Sequence, residues 1–263
     1  MGDRTSRKQV AGFDEYLHKS HSELSASIQL NTRPVESYRY LIRVAKGLGS
    51  NEERQWFDLA LKLDAAALQP RMEYLDAVTP RWGGDVNLMS EVVKEGKQSV
   101  MSASSKTQLE GRYYLAMAQD GRLRKDYRAG SNYFYMGYKA TGEENALLFS
   151  AEIAIDAEDP KLALERLNEM LKALPKSANG YDYRAKVYEY KFNDAEHAIP
   201  DYIKAADLGS ARSQNHIGWL YMKGINVPVN FKKARHYLEL AARQDNRTAR
   251  ENLEILNRLE QGK

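Results

Sequence analysis

The residues that could bind a metal or exchange protons lie near the start of the chain. Asp14, His18 and His21 are separated by four and then three residues, so they share one face of a helix. Carboxylate and imidazole groups are ligands of Zn²⁺, and they can also act as general acid and base. No fourth ligand is in view, and histidines in a polar helix are usually solvated. The pattern therefore favours an exposed face over a metal site.

The other titratable residues do not form a catalytic pattern. Three histidines occur singly, as packing or surface residues do: His197, His216 and His236. Three carboxylates precede Pro160, where negative charge stabilises the start of a helix: Asp156, Glu158 and Asp159. The chain has no cysteine, and it has no phosphate-binding glycine loop, Gly-x-Ser-x-Gly elbow or His-Glu-x-x-His motif. The sequence thus predicts no catalytic, cofactor-binding or metal-binding residue.

The stretch at residues 121–139, GRLRKDYRAGSNYFYMGYK, interleaves basic and aromatic residues. Such a pattern can bind single-stranded nucleic acid by neutralising phosphates and stacking bases, and it can equally hold an acidic protein. We expect instead that Tyr133, Phe134 and Tyr138 pack inward while the basic residues stay in solvent. The net charge of +3 is far from the dense basic surface of a nucleic-acid-binding protein.

Apolar residues recur at helical spacing along most of the 263-residue chain, and alternating runs typical of strands are nearly missing. The segments Glu52–Ala67 and Pro160–Leu174 each carry one apolar stripe, which must be buried against a neighbour. The breaks between such segments are short, and short connections favour antiparallel helix pairs. The predicted fold class is all-α, an α-solenoid of stacked antiparallel helix pairs.

The last third of the chain is similar to itself. An offset of 36 residues aligns Lys204-Ala205-Ala206 with Leu240-Ala241-Ala242, and Ala198 with Ala234. Upstream, residues of suitable size occupy the positions of a 34-residue helix-turn-helix repeat: Leu147, Ala151, Ala163, Leu167 and Pro175, then Tyr181, Ala185 and Tyr188. Small residues at such positions let two helices approach closely, and large ones fill the space between successive hairpins.

The segment from Gly209 to Ala242 resembles a SEL-one-like repeat. The residues that carry the resemblance are Gly209, Ala211, Ser213, Ile217, Gly218, Tyr221, Gly224 and Val227, followed by Lys233, Ala234, Tyr237, Ala241 and Ala242. The units before it resemble tetratricopeptide repeats, so the resemblance covers about residues 144–256. Ser213 replaces the usual alanine and Asp245 the usual glycine, which makes the last helix a cap. The resemblance implies stacked hairpins with an exposed groove.

The N-terminal half has a different pattern. Residues 33–49 and the stretch VTPRWGGD at 78–85 resemble a bacterial domain of unknown function with a Pro-Arg-Trp-Gly-Gly signature, which implies a helical domain and no activity. We expect Trp82 to be an anchor packed on this domain, with Gly83 and Gly84 supplying backbone freedom. The predicted organisation is an N-terminal helical segment at 1–30, the PRWGG-type domain at 31–105, and repeats with a capping helix at 106–263. The joint is expected within residues 94–108, unless one solenoid continues through it.

In repeats of this kind the first helix of each pair lines the concave side, and its outward positions vary in chemistry. The resemblance carries these positions onto nine partner-binding residues: Asn179, Asp182, Lys186, Glu189 and Tyr190, then Arg212, Asn215, Trp219 and Lys223. Tyrosine, tryptophan and arginine dominate interface energetics. For Trp219 the sequence leaves two interpretations open: the side chain inserts into a partner, or it packs within its own solenoid.

We therefore expect a non-enzymatic protein that binds another protein in the groove of a solenoid. The resemblance implies a bacterial adaptor or an immunity protein inhibiting a secreted toxin or effector, with no nucleic acid and no membrane involved. The alternatives are a hydrolase or metalloprotein on a helical scaffold, and an RNA-binding helical array. The first six residues lack the apolar core of a secretory leader, so the expected compartment is the cytoplasm as written, or the periplasm if a leader was removed.

Overall fold

A computed structural model describes residues 7–30 and 34–262 of the chain. These residues form fourteen α-helices and one 3-10 helix and contain no β-strand, which confirms the predicted all-α class. The first six residues, on which the expectation about a leader rests, lie outside the described part. None of the described helices is long and apolar enough to span a bilayer. The chain divides into two compact units, described separately below.

Unit 1 comprises residues up to Arg124 together with Met136–Gly142. Its helices are α1 (Arg7–Leu30), α2 (Pro34–Leu48), α3 (Glu53–Leu63), α4 (Leu68–Ala77), the 3-10 helix η1 (Pro80–Trp82), α5 (Val86–Gln98) and α6 (Ala103–Leu123). Fully buried Leu41 and Ile42 of α2 and Leu75 of α4 form the core with Phe57 of α3. The Phe57 ring stacks on that of Tyr74 with 4.5 Å between ring centres. The predicted joint at residues 94–108 covers the end of α5 and the start of α6.

The PRWGG segment forms η1 and the turn that follows it. Gly83 has φ of 79°, a left-handed conformation that disfavours any residue with a Cβ atom. A Cβ atom on Gly84 would lie 2.1 Å from the carbonyl oxygen of Val78. Both glycines are thus required by the backbone, as predicted. The expectation that Trp82 is a packed anchor was wrong, because its side chain is 60% exposed and contacts the Arg81 guanidinium, 5.4 Å from the ring centre.

Unit 2 comprises Lys125–Tyr135 and the chain from Glu143 onward. It contains the first part of α7 (Tyr127–Thr141), then α8 (Glu144–Asp156), α9 (Pro160–Ala173), α10 (Ala178–Phe192), α11 (Ala195–Asp207), α12 (Ala211–Lys223), α13 (Phe231–Arg243) and α14 (Arg247–Gln261). From α8 to α14, each helix packs on the next. The result is the expected stack of antiparallel pairs, α8 with α9, α10 with α11 and α12 with α13, and α14 packs on the last pair.

The small residues of the repeat pattern lie where the helices of this stack contact one another. Ala198, Ala205, Ala234 and Ala241, which the 36-residue offset aligns, are all buried. A Cβ atom on Gly218 of α12 would lie 2.7 Å from Cγ of Leu238 on α13, so these two helices approach more closely than an alanine would allow. Five of the upstream repeat positions are fully buried as well: Leu147, Ala151, Ala163, Leu167 and Ala185. Tyr181 and Tyr188 are half-buried, and Pro175 is exposed.

Each helix from α9 to α14 begins with a side-chain cap. The capping residues are Asp159, Ser177, Asp194, Ser210, Asn230 and Asn246, and each side chain accepts a hydrogen bond from a backbone N–H of the first turn. Asp159 accepts from the N–H of Leu162 at 3.0 Å, which confirms the helix-start interpretation of the carboxylate closest to Pro160. A cap of this kind contributes about 1 kcal/mol, and the six caps fix where the hairpins turn.

Candidate partner-binding site

The first helices of the pairs, α8, α10, α12 and the final helix α14, are linked in sequence by polar side chains; we call them the first-helix row. Tyr183 of α10 donates a hydrogen bond to Glu152 of α8. Ser213 of α12 donates to Asp182 of α10, with 2.7 Å between the oxygen atoms. Asn252 of α14 donates through Nδ2 to Oδ1 of Asn215 on α12 at 2.9 Å. The row is therefore connected by a chain of polar contacts, part of which is buried.

The centre of the row is the carboxylate of Asp182, which is fully buried. Besides the Ser213 hydroxyl, it pairs with Nζ of Lys186 at 2.8 Å and with Nε of Arg212 at 3.2 Å. A buried carboxylate is tolerated only when charges and hydrogen bonds compensate its desolvation. Asp182 thus lies beneath the surface and holds the two cations in place.

One carboxylate shared by two cations leaves positive charge at the surface. The Arg212 side chain is 57% exposed and that of Lys186 is 25% exposed. Both cations lie over the ring of Tyr183, at 5.7 and 5.2 Å from its centre, in cation–π geometry. Burial, and then the hydrogen bond to Glu152, raise the pKa of Tyr183, so its hydroxyl keeps its proton to a higher pH than an exposed tyrosine would. Both cations therefore lie against the ring of Tyr183, which its hydrogen bond to Glu152 holds in place.

A second cluster lies further along α10 and α12. The hydroxyl of Tyr202 donates to Oε2 of Glu189 at 2.7 Å, and Nε2 of His216 lies 3.3 Å from the other oxygen of Glu189. Burial, and then the hydrogen bond to Glu189, raise the pKa of Tyr202. The His216 ring is stacked with Trp219, whose ring centre is 6.2 Å away. Trp219 packs against the core of unit 2 and is half-buried, so the indole contacts its own solenoid.

The remaining predicted residues lie at the edges of these clusters. The Tyr190 side chain is 67% exposed, and burial, followed by the charge of Glu189, raises its pKa. Asn179 lines a separate cavity of about 510 Å³ between α8, α9 and the start of α10. Lys223 is exposed at the last position of α12. Five of the nine predicted residues thus lie in the two clusters and Tyr190 lies at their edge. Asn215 bonds to Asn252 of α14 instead, and Asn179 and Lys223 lie apart.

Sequence reasoning missed the residues that organise the site. They are Glu152, Tyr183, Tyr202, Ser213, His216 and Asn252. Ser213 gave a signal, because it replaces an alanine in the repeat pattern, and its buried hydroxyl donates to Asp182. The other departure has a backbone explanation, since Asp245 has φ of 60°, the left-handed conformation that glycine adopts readily.

The basic and aromatic stretch is not an open stacking surface. Phe134 is buried, with its ring centre 5.5 Å from that of Phe149, and Tyr133 and Tyr138 are half-buried. The basic residues are exposed, as expected: Arg122, Arg124, Lys125 and Arg128. Inward packing is therefore confirmed for Phe134 and holds in part for the two tyrosines.

The helical face at the start of the chain has no metal-binding geometry. Asp14 and His18 are exposed, whereas Nε2 of His21 lies 3.3 Å from a carboxylate oxygen of Glu52, beside the Trp56 ring. Within residues 7–30 and 34–262, no group of three or more His, Asp or Glu side chains could hold a metal ion.

Comparison with known proteins identifies the repeat type in unit 2. The family model described as "Sel1 repeat" matches residues 211–246, which contain α12 and α13. "Tetratricopeptide repeat protein 36" of Bos taurus is 30% identical over 117 residues, or 44% of this chain. The chain spans 62% of the length of that curated relative. Sel1 and tetratricopeptide repeats are scaffolds typical of protein–protein interaction.

Solved structures of helical-repeat proteins are similar at low identity. YrrB, described as a tetratricopeptide-repeat protein with an unusual peptide-binding site, is 14% identical, with a TM-score of 0.44 over 75% of this chain and 97% of its own. A Sel1 repeat protein from Oxalobacter formigenes is 16% identical, with a TM-score of 0.45 over 82% of this chain and 86% of its own. The resemblance of residues 33–85 to a PRWGG-type domain stays a prediction.

Proposed function

We propose that unit 2 binds a protein partner on the first-helix row, and that the chain acts by binding rather than by catalysis. The observation that carries this proposal is the buried Asp182, which holds Lys186 and Arg212 over the Tyr183 ring. Side chains fixed before binding lose little conformational entropy on association, so more of the contact energy appears as affinity. Asp182 restricts the positions of both cations before a partner binds.

The two clusters define what the partner surface presents. An acidic side chain of the partner contacts Arg212 and Lys186, which share the Asp182 carboxylate as their ion-pair partner. An apolar or aromatic side chain packs between Tyr190 and the accessible edge of Trp219, which are the residue types that dominate interface energetics. His216, which lies 3.3 Å from Glu189 and stacks with Trp219, fixes the orientation of the indole.

The biological role in this proposal is that of an adaptor or of an immunity protein that inhibits a secreted toxin or effector. The support for it is the resemblance to bacterial SEL-one-like repeats and the match of residues 211–246 to that family. In this proposal neither nucleic acid nor membrane takes part, and the small net charge of +3 supports it.

The test is capture of a stoichiometric partner from a native lysate with the whole chain as bait. The bait variant Arg212→Glu with Tyr190→Ala should lose the partner, whereas Lys204→Glu, a matched charge reversal on α11, should retain it. If the captured protein is a toxin, the chain should inhibit it at a one-to-one ratio. Equal capture by both baits, or no stoichiometric partner for the unmodified chain, would contradict the proposal.

A further inference from the structure

Unit 1 contains an open groove of about 1180 Å³ that the first-helix row does not involve. It lies between α1, α2, α4 and η1, and four exposed aromatic side chains line it: Phe13, Tyr16, Tyr40 and Trp82. Solvent-exposed clusters of large apolar side chains in a folded unit mark interaction surfaces. Trp82, whose exposure the sequence did not predict, is therefore one of the residues that line this groove.

The groove has the length of a binding site for a helix. On α1, the residues that line it recur at helical spacing from Phe13 to Ser27, which extend over about 21 Å at 1.5 Å per residue. The rest of its lining includes the apolar or small residues Val44, Gly47 and Ala77. A row of aliphatic side chains from a helix of about four turns matches this length and this apolar lining.

The charged residues around the groove determine which sign of charge its ligand should carry. Its carboxylates are already paired: Glu73 with Arg39 and Arg43, Asp76 with Arg112, and Glu23 with Lys19. Within the part of the chain that the structure describes, Lys46 and Arg81 have no ion-pair partner. Lys46 lines the groove, and Arg81 lies over the ring of Trp82. Unpaired cations beside apolar surface favour a ligand that carries carboxylates.

We propose that this groove binds an acidic amphipathic helix of about four turns, contributed by another protein. Its aliphatic face contacts Phe13, Tyr16, Tyr40 and Trp82, and its carboxylates pair with Lys46 and Arg81. Since all lining residues belong to unit 1, this surface is a second binding site, and its loss leaves the first-helix row unchanged.

The test uses two labelled 16-residue helical peptides that share one leucine stripe at i, i+3, i+4 and i+7. One carries glutamate and the other lysine at the flanking positions. Fluorescence anisotropy with the whole chain should show that the glutamate peptide binds about tenfold more tightly. The double variant Lys46→Glu with Arg81→Glu should reverse the preference, and Trp82→Ala should weaken both peptides about tenfold. The control Lys94→Glu, on the exposed surface of α5, should change neither.

Several results would overturn the proposal. They are equal binding of the two peptides, binding of neither, and binding that Trp82→Ala leaves unchanged. Sedimentation of the whole chain tests a different occupant, a second copy. A dimer that Trp82→Ala converts to monomer would show that the groove is a homodimer interface, which also overturns the proposal. A circular dichroism spectrum unchanged by Trp82→Ala establishes that the helices remain folded in the variant.

Discussion

The first-helix row of unit 2 and the groove of unit 1 expose functional side chains in opposite ways. In the row, Lys186 and Arg212 pair with the buried carboxylate of Asp182, and the hydroxyls of Tyr183 and Tyr202 donate hydrogen bonds to glutamates. In the groove, the carboxylates are neutralised, while the aromatic side chains and two cations remain exposed. The polar surface of the row thus depends on an internal framework, whereas the apolar groove depends on exposed side-chain area. Substitutions should therefore affect stability in the row and mainly binding in the groove.

The largest effect is expected for Asp182→Ala in the row. The change removes one of the two acceptors of the buried Ser213 hydroxyl and leaves it only Oγ of Ser210, at 3.0 Å. It also leaves Lys186 and Arg212 without their counter-charge. Because both cations are partly exposed and can be rehydrated, we expect a loss of about 2–3 kcal/mol in the free energy of unfolding. Urea denaturation measures it, with the exposed Asp156→Ala as control. A loss below about 0.5 kcal/mol, typical of surface positions, would contradict the role of Asp182 as the framework.

A close second is Gly218→Ala, which probes the contact between α12 and α13. The new Cβ atom would meet Leu238 at 2.7 Å and the carbonyl oxygen of Ala234 at 3.1 Å. Overpacking of this kind costs about 1–3 kcal/mol. The matched change in unit 1 is Gly12→Ala on α1, where no other atom lies within 4 Å of the new Cβ. There we expect no loss of stability, since alanine favours a helix. Thermal denaturation compares the two, and equal effects would refute the close approach.

Ser213→Ala restores the residue that the repeat pattern prefers, yet it should destabilise this chain. It removes the hydroxyl that donates to Asp182, and the loss of one hydrogen bond to a buried charge costs about 1–2 kcal/mol. In the background of Asp182→Ala, the same substitution should cost less, because only the weaker bond from the hydroxyl to Oγ of Ser210 then remains to be lost. A double-mutant cycle in urea measures the coupling. Strictly additive effects would show that the two side chains act independently.

The smallest effect concerns alkaline pH. The hydroxyl of Tyr237 donates to Asp207 at 3.2 Å, and burial, followed by the charge of Asp207, raises the pKa of Tyr237 to about 12. The unfolded tyrosine loses its proton near its ordinary pKa of about 10, so folding becomes less favourable as the pH rises from about 10 to about 12. Tyr237→Phe should make this decline shallower, and Tyr16→Phe, an exposed control, should not. Urea midpoints measured across this pH range test the prediction. A decline of the same steepness in Tyr237→Phe would contradict the assignment.

Local rules explain which parts of the fold were predictable. The buried alanines of the repeats and the cap formed by Asp159 follow from spacing and from the residue types at helix starts. Asp182 and Ser213 could not be paired from the sequence, because they are 31 residues apart and meet only when two hairpins stack. Trp82 was placed wrongly for a related reason, since the exposure of a side chain in a turn depends on helices distant in the chain.

Hydrogen–deuterium exchange of the whole chain with and without its captured partner locates the binding surface directly. Binding on the first-helix row predicts slower exchange in Ala178–Phe192 and Ala211–Lys223, the segments of α10 and α12. Exchange in Pro160–Ala173 and Ala195–Asp207, the segments of α9 and α11, should change little. Slower exchange confined to α9 and α11, with α10 and α12 unaffected, would contradict binding on the row.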